Sequence, residues 1–216
     1  MALVSLSMAF ATLLLVANII AVKLISIGEW IVPVAVIAYP LTFLVTDIIN
    51  ELYGRHTATR VVWIGLAVNV LMVILIYVGK IIPPASLWEG QEAYTTMLGA
   101  VPRIVLASMV AYLVSQHHDV FAFDFWRRRT KGRFLWLRNN ASTMVSQGID
   151  TLLFISIAFV GIVPTHVLLN MILGQYIIKL CIAVADTPLC YALVNLIRRK
   201  GVRPPTYALE EVSHAD

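Results

Sequence analysis

The residues best suited to chemistry in this sequence are ionisable residues placed inside long apolar segments. Asp150 and Lys179 each lie near the middle of such a segment. A charge at the centre of a bilayer costs about 2.5–3.5 kcal/mol on insertion scales, so it needs a partner or a function. A carboxylate and an ammonium group on neighbouring helices can neutralise each other or hydrogen-bond a polar solute. We therefore place the centre of a predicted binding site at these two residues.

Amide and hydroxyl side chains extend this predicted site, because residues three or four positions apart share one face of an α-helix. One polar stripe contains Asn139, Thr143, Ser146, Gln147 and Asp150; the other contains Gln175, Lys179 and Asp186, with Asn170 above them. Substrate-binding roles are predicted for Asn18, Gln147, Asp150, Asn170 and Lys179. The alternative is that these side chains only hydrogen-bond one helix to another, at about 0.6 kcal/mol per contact.

The residue types of this cavity predict the kind of solute that it holds. Carboxylate, amide and ammonium groups together suit a small molecule with both hydrogen-bond donors and acceptors. Their charges nearly cancel, which argues against a strongly charged anion such as a phosphate. Three aromatic residues are candidates to stack on a flat ring, although each is also a candidate for simple packing: Tyr39, Phe154 and Tyr176.

Five further charged residues are candidates for ion pairs or for a gate: Lys23, Asp47, Glu51, Arg103 and Asp186. The three basic and three aspartate residues inside predicted spans balance, which favours pairs that face a shared cavity. Asp47 and Glu51 lie one helical turn apart near the predicted inner face, where a structural cap is as good an interpretation as a gate.

The composition indicates the elements that position these residues. Hydrophobic residues make up 60% of the chain, charged residues make up 13%, and the mean hydropathy is +0.85. Soluble domains are only about 45–50% apolar and about 25% charged. The fold class predicted is an all-α integral membrane protein with six transmembrane helices, each of about 20 apolar residues. The predicted spans are 3–25, 31–50, 58–80, 94–115, 140–161 and 165–197.

The distribution of Lys and Arg predicts the orientation in the membrane. Two basic residues fall between the second and third spans, six in the aromatic-rich connection 116–139, and four at 198–203 around the end of the last span, whereas the opposite side has only Lys80. Cytoplasmic loops carry the excess of positive charge. We expect a multi-pass protein of the cell inner membrane with both termini cytoplasmic. Residues 1–203 form the predicted transporter domain, and residues 204–216 form a polar cytoplasmic tail.

Several function classes lack their sequence signatures. The net charge of +4 is explained by the loops and the tail, so no nucleic-acid partner is expected. The sequence contains no GxxxxGK[ST] loop for an ATPase, and neither HExxH nor GxSxG for a hydrolase. No cofactor, no metal site and no enzymatic activity are predicted. A channel is disfavoured because opposed charge pairs would be an unusual pore lining.

Four segments resemble the queuosine-precursor transporter family, also called vitamin uptake transporters. They are ANIIAVKLI (17–25), YPLTFLVTDIINELYGRHTATR (39–60), ASTMVSQGIDTLLFISIAF (141–159) and LNMILGQYIIKLCIAVADTPLCY (169–191). The string TDxxNExYG in the second segment is unusual for a spanning helix. The resemblance covers roughly residues 10–200.

The resemblance implies an inner-membrane importer of 7-deazaguanine bases for salvage of the tRNA nucleoside queuosine. It also implies a fold similar to the substrate-binding subunits of energy-coupling-factor transporters, but without an obligate ATPase partner. In that setting Asp150 would accept the N1–H and 2-amino groups of the base, and Gln147 or Asn170 would bond the ring carbonyl or pyrrole edge. Lys179 would donate to the carbonyl or pair with Asp150.

The alternative is a substrate-binding subunit for a vitamin-like solute that needs a separate energising module. Ala17 and Ala21, four residues apart, would permit close contact with such a partner. The choice of precursor, the energy source and the oligomeric state stay open at this point.

Overall fold

The computed structural model describes residues 2–129 and 135–199, except for the side chains at 119–143 and over most of 183–199. The helices are α1 (Ala2–Ile20), α2 (Tyr39–Tyr53), α3 (Arg55–Ile81), α4 (Gln91–Leu98), α5 (Val101–Arg129), α6 (Leu135–Phe159) and α7 (Thr165–Arg199). Two short strands, β1 (Leu24–Ile27) and β2 (Trp30–Pro33), and a 3-10 turn at Val34–Ile37 connect α1 to α2.

The described helices confirm a multi-pass membrane protein. Within the described residues, five segments are long and apolar enough to cross a bilayer: Ala2–Ile20, Val34–Tyr53, His56–Ile81, Gln91–Ser115 and Thr165–Ile182. A shorter apolar segment, Met144–Phe159, forms most of α6. These segments correspond to the six predicted spans. The predicted tail at 204–216 lies outside the described residues.

Small side chains allow the helices to pack closely. The main apolar cluster joins α1, α5, α6 and α7, and seven of its twelve fully buried members are alanines: Ala17, Ala21, Ala35, Ala38, Ala107, Ala111 and Ala158. A membrane offers no hydrophobic driving force between helices, so close backbone approach and dispersion contacts hold such a bundle together. The same principle operates between α1 and α3, where Gly65 lies against the ring of Phe10.

The chain after α1 differs from the prediction. The first span was predicted to reach residue 25, but α1 ends at Ile20 and the chain then forms an antiparallel hairpin. Ile27 pairs with Trp30, so the turn has two residues, and Gly28 adopts a φ of +61° there. Glycine tolerates this left-handed conformation. Hydropathy did not reveal the hairpin, because a short apolar run suits a strand as well as a helix.

The basic connection predicted at 116–139 is mostly helical. The helix α5 continues to Arg129 and α6 begins at Leu135. The prediction of a long loop was therefore wrong, since charge and aromatic content mark the end of an apolar span and do not mark the end of a helix.

Candidate functional site

An ion pair between α6 and α7 is the centre of the candidate site. The Lys179 Nζ atom lies 2.6 Å from the Asp150 Oδ2 atom, and the two side chains are 9% and 23% exposed. Each residue lies far from the ends of its helix, and the two are 29 positions apart in sequence. An ion pair that is largely removed from water is stable only because each charge compensates the other. Pairing is one of the two arrangements that the sequence left open for Lys179.

Aromatic rings flank this ion pair. Tyr39, at the start of α2, places its ring centroid 5.9 Å from the Lys179 Nζ atom. The ring of Phe154, one helical turn after Asp150, meets Tyr39 edge to face at a centroid distance of 6.2 Å. Ser108 of α5 lies near the Tyr39 hydroxyl. Four helices thus bring a charge pair and aromatic ring faces together, a combination of groups that small-molecule sites commonly use.

Three buried acceptor atoms lie on the same two helices as the ion pair. They are the Gln147 Oε1, Thr151 Oγ1 and Gln175 Oε1 atoms, and none has a hydrogen-bond partner among the described residues. Thr151 is fully buried and Gln175 is 2% exposed. Buried polar groups are normally hydrogen-bonded. Each of these oxygens can therefore accept a hydrogen bond from a bound solute.

The two predicted asparagine contacts have partners within the protein. Asn18 donates from Nδ2 to the Asn69 Oδ1 atom at 2.7 Å and so ties α1 to α3, while its own Oδ1 has no partner among the described residues. Asn170 accepts from the backbone N–H of Ile31 at 2.8 Å and donates to the carbonyl of Glu29 at 3.0 Å. Its amide therefore fastens the β1–β2 hairpin to α7.

The other charged candidates lie apart from the ion pair. Arg103 donates from Nε to the carbonyl of Ile157 at 2.7 Å and from Nη2 to that of Val160 at 2.6 Å. It thus caps the carboxyl end of α6, where unpaired carbonyls and the helix dipole favour a cation. Lys23 is exposed between α1 and the hairpin.

The acidic candidates are placed only in part. Asp47 and Glu51 are exposed on α2, each with an interaction partner. Asp186 belongs to α7, and its side chain falls outside the description. No group of three His, Cys, Asp or Glu residues suitable for a metal ion occurs within the described part of the chain.

Two contributors to the site were not predicted, Thr151 and Ser108. Thr151 follows Asp150 directly and lies four residues after Gln147, so helical periodicity alone would have found it. Ser108 is one of two serines in its helix, and its proximity to Tyr39 depends on packing between α5 and α2. Asn69, the partner of Asn18, was also overlooked, although an amide within an apolar span needs a partner.

The fold and the site define a class of protein: a multi-pass membrane protein with an ion pair flanked by aromatic rings between its helices. Residues 33–193 match the family model described as "Putative vitamin uptake transporter". The chain belongs to this transporter family, which is not an enzyme class, and the resemblance noted in the sequence is confirmed. No solved structure gives a significant match.

Curated relatives point to the same family. The chain is 34% identical over 182 residues to the "Probable queuosine precursor transporter" of Bacillus subtilis, covering 84% of this chain and 80% of the relative. It is 33% identical over 122 residues to the "Queuosine precursor transporter" of Escherichia coli, covering 56% of this chain and 52% of the relative. A Haemophilus influenzae protein named "Probable queuosine precursor transporter" is 30% identical over 123 residues, 57% of this chain and 50% of that protein.

Proposed function

We propose that this chain imports 7-deazaguanine precursors of queuosine across the inner membrane and binds them at the Asp150–Lys179 pair. The observation that carries the proposal is this ion pair beside the rings of Tyr39 and Phe154. The names of three relatives supply the substrate class, which fits a site for a flat, nitrogen-rich ring.

The chemistry of the base fits the charged groups. A 7-deazaguanine presents its N1–H and 2-amino groups side by side, and one carboxylate can accept both hydrogen bonds. Asp150 takes this role in the proposal, while Lys179 pairs with the carboxylate in the absence of substrate and donates to the ring carbonyl when substrate is bound. Gln147 contacts a further edge of the base. Asn18 and Asn170 hold the surrounding helices and the hairpin in place, because their amides bond protein groups.

The remaining charged residues other than Arg103 take gating or orienting roles in this proposal, while Arg103 caps α6. Both termini lie in the cytoplasm, with Asp47, Glu51 and Asp186 toward the inner side and Lys23 and Arg103 toward the outer side. The fold is proposed to be similar to that of the substrate-binding subunits of energy-coupling-factor transporters.

The proposal includes transport without a separate ATP-driven module. Ala17 and Ala21, the small residues that would suit close contact with such a module, are fully buried inside the bundle. They are therefore already used in internal packing. Purified protein in liposomes tests this part: accumulation of labelled precursor with no other protein present supports it, and a strict need for an ATPase component would favour the alternative of a binding subunit.

The main test measures queuosine in tRNA. The host is a bacterium that neither makes the deazaguanine core nor imports it, and it is supplied with a low concentration of each precursor. We expect the wild-type chain to restore queuosine, and Asp150→Asn at equal membrane abundance to restore little or none. Glu92→Gln, which neutralises an exposed carboxylate on α4, is the matched control and should behave as wild type. Wild-type protein that inserts correctly and restores nothing would refute the substrate class.

A further inference from the structure

The unpaired buried oxygens near the ion pair are unusual, because a buried polar group without a hydrogen bond destabilises the folded protein. Thr151 is fully buried, yet its hydroxyl bonds no described residue, although hydroxyls in helices often bond the carbonyl four residues earlier. The Gln175 Oε1 atom is in the same situation on α7. Valine would fill the space of Thr151 without leaving a polar atom unpaired. Packing alone therefore gives no reason for threonine at this position.

The helix register places these oxygens next to the site. Thr151 follows Asp150 on α6, and Gln175 lies one turn before Lys179 on α7. The two helices are consecutive, with residues 160–164 between them, so positions after Asp150 on α6 face positions before Lys179 on α7. Both residues consequently lie within about one helical turn of the ion pair along the helix axes.

We propose that Thr151 and Gln175 contact the substrate and determine specificity, as acceptors for N–H groups other than those bound by Asp150. With Gln147 they form a set of oxygens that selects a flat heterocycle with N–H donors on more than one edge. This inference rests on the proposed function, since it concerns the same pocket. It adds that the site also hydrogen-bonds a second edge of the base, away from the edge bound by Asp150.

The effects of a substitution on stability and on binding together distinguish this role from a structural one. Removing an orphaned buried hydroxyl should leave the empty protein as stable as before or make it more stable. Removing a substrate contact should weaken binding. The two effects have opposite signs only if the oxygen serves the ligand.

The experiment uses the purified full-length chain and 7-deazaguanine, the core shared by the precursors. Calorimetry gives Kd, and thermal unfolding without ligand gives the melting temperature. We expect Thr151→Val and Gln175→Met each to raise Kd about tenfold, with an unchanged or higher melting temperature. Thr151→Ser keeps the oxygen and should bind nearly as well as wild type. Thr96→Val, on the exposed face of α4, controls for the loss of a threonine hydroxyl elsewhere.

The outcomes distinguish failure of this inference from failure of the proposed function. Wild-type protein that binds 7-deazaguanine together with an unchanged Kd for Thr151→Val and Gln175→Met would overturn the inference alone. A lower melting temperature that accompanies the weaker binding in both variants would show structural roles and also overturn it. Wild-type protein that binds no 7-deazaguanine would overturn the proposed function and this inference together.

Discussion

Two amide side chains of α7, those of Asn170 and Gln175, lie five residues apart and differ in their hydrogen bonding. Both ends of the Asn170 amide are bonded, one to the N–H of Ile31 and one to the carbonyl of Glu29. The Gln175 Oε1 atom has no partner among the described residues, although Gln175 is 2% exposed. The comparison teaches that hydrogen-bond partners separate two roles of polar residues in a spanning helix: the bonded amide of Asn170 fixes the fold, and the unpaired oxygen of Gln175 supports the proposed substrate contact.

Asn18 of α1 is intermediate between these two cases, because only one end of its amide is bonded. The Asn18 Nδ2 atom bonds Asn69, but the Asn18 Oδ1 atom has no partner among the described residues. Asn69 in turn donates to the carbonyl of Gly65 at 2.9 Å. This chain of bonds explains how α1 is fixed against α3, so Asn18 belongs mainly with the structural group.

The largest effect is expected for substitution of Lys179, the partner of Asp150 in the ion pair. Lys179→Met leaves Asp150 in a largely buried site with no ammonium partner, which should cost about 3–5 kcal/mol of stability and abolish uptake. Adding Asp150→Asn removes the uncompensated charge and should restore membrane abundance while uptake stays absent. Thermal unfolding and quantitative membrane immunoblots check both variants. If Lys179→Met alone is as stable as wild type, the pair is not the electrostatic centre of the site.

A smaller effect is expected at Gly174, where the hairpin meets α7. A Cβ atom at this position would lie 2.6 Å from the Trp30 Cβ atom, so Gly174→Ala forces the hairpin away and should cost about 1–3 kcal/mol. Gly148→Ala is the matched control, because its Cβ would meet Tyr176 at an ordinary 3.7 Å. Melting temperatures of the two variants measure the difference, and equal values would contradict the close packing of Trp30.

Asn170→Ala should act on stability more than on ligand selection. It removes two hydrogen bonds to the hairpin, which contribute about 1–2 kcal/mol together. Limited proteolysis should cut the hairpin faster, while the preference for 7-deazaguanine over an analogue without the 2-amino group stays the same. A changed preference at unchanged stability would place Asn170 in contact with the substrate and break the comparison.

The smallest effect is expected at Arg103, which lies outside the pocket. Arg103→Gln weakens the cap on the last carbonyls of α6 and should lower stability by less than about 1 kcal/mol. Uptake at equal abundance should match wild type. A large loss of uptake with little loss of stability would instead support a gating role for this residue.

Much of the site could be predicted because it depends on local periodicity. Gln147 and Asp150 share one face of α6, and Gln175 and Lys179 share one face of α7, whatever the rest of the chain does. An isolated charge in a span needs a partner, which made the Asp150–Lys179 pair predictable in kind. The same argument failed for Arg103, because backbone carbonyls at a helix end satisfy a guanidinium as well as a carboxylate does.

The sequence by itself determined that this chain is a helical membrane protein with ionisable residues in its interior, because hydropathy and helical spacing are local properties. Only the tertiary structure decided which polar groups are satisfied. Asn170 finds its partners 139 and 141 positions away in the hairpin, whereas Thr151 and Gln175 find none among the described residues. Partnership is a long-range property of packed helices, and no local pattern of residue types specifies it.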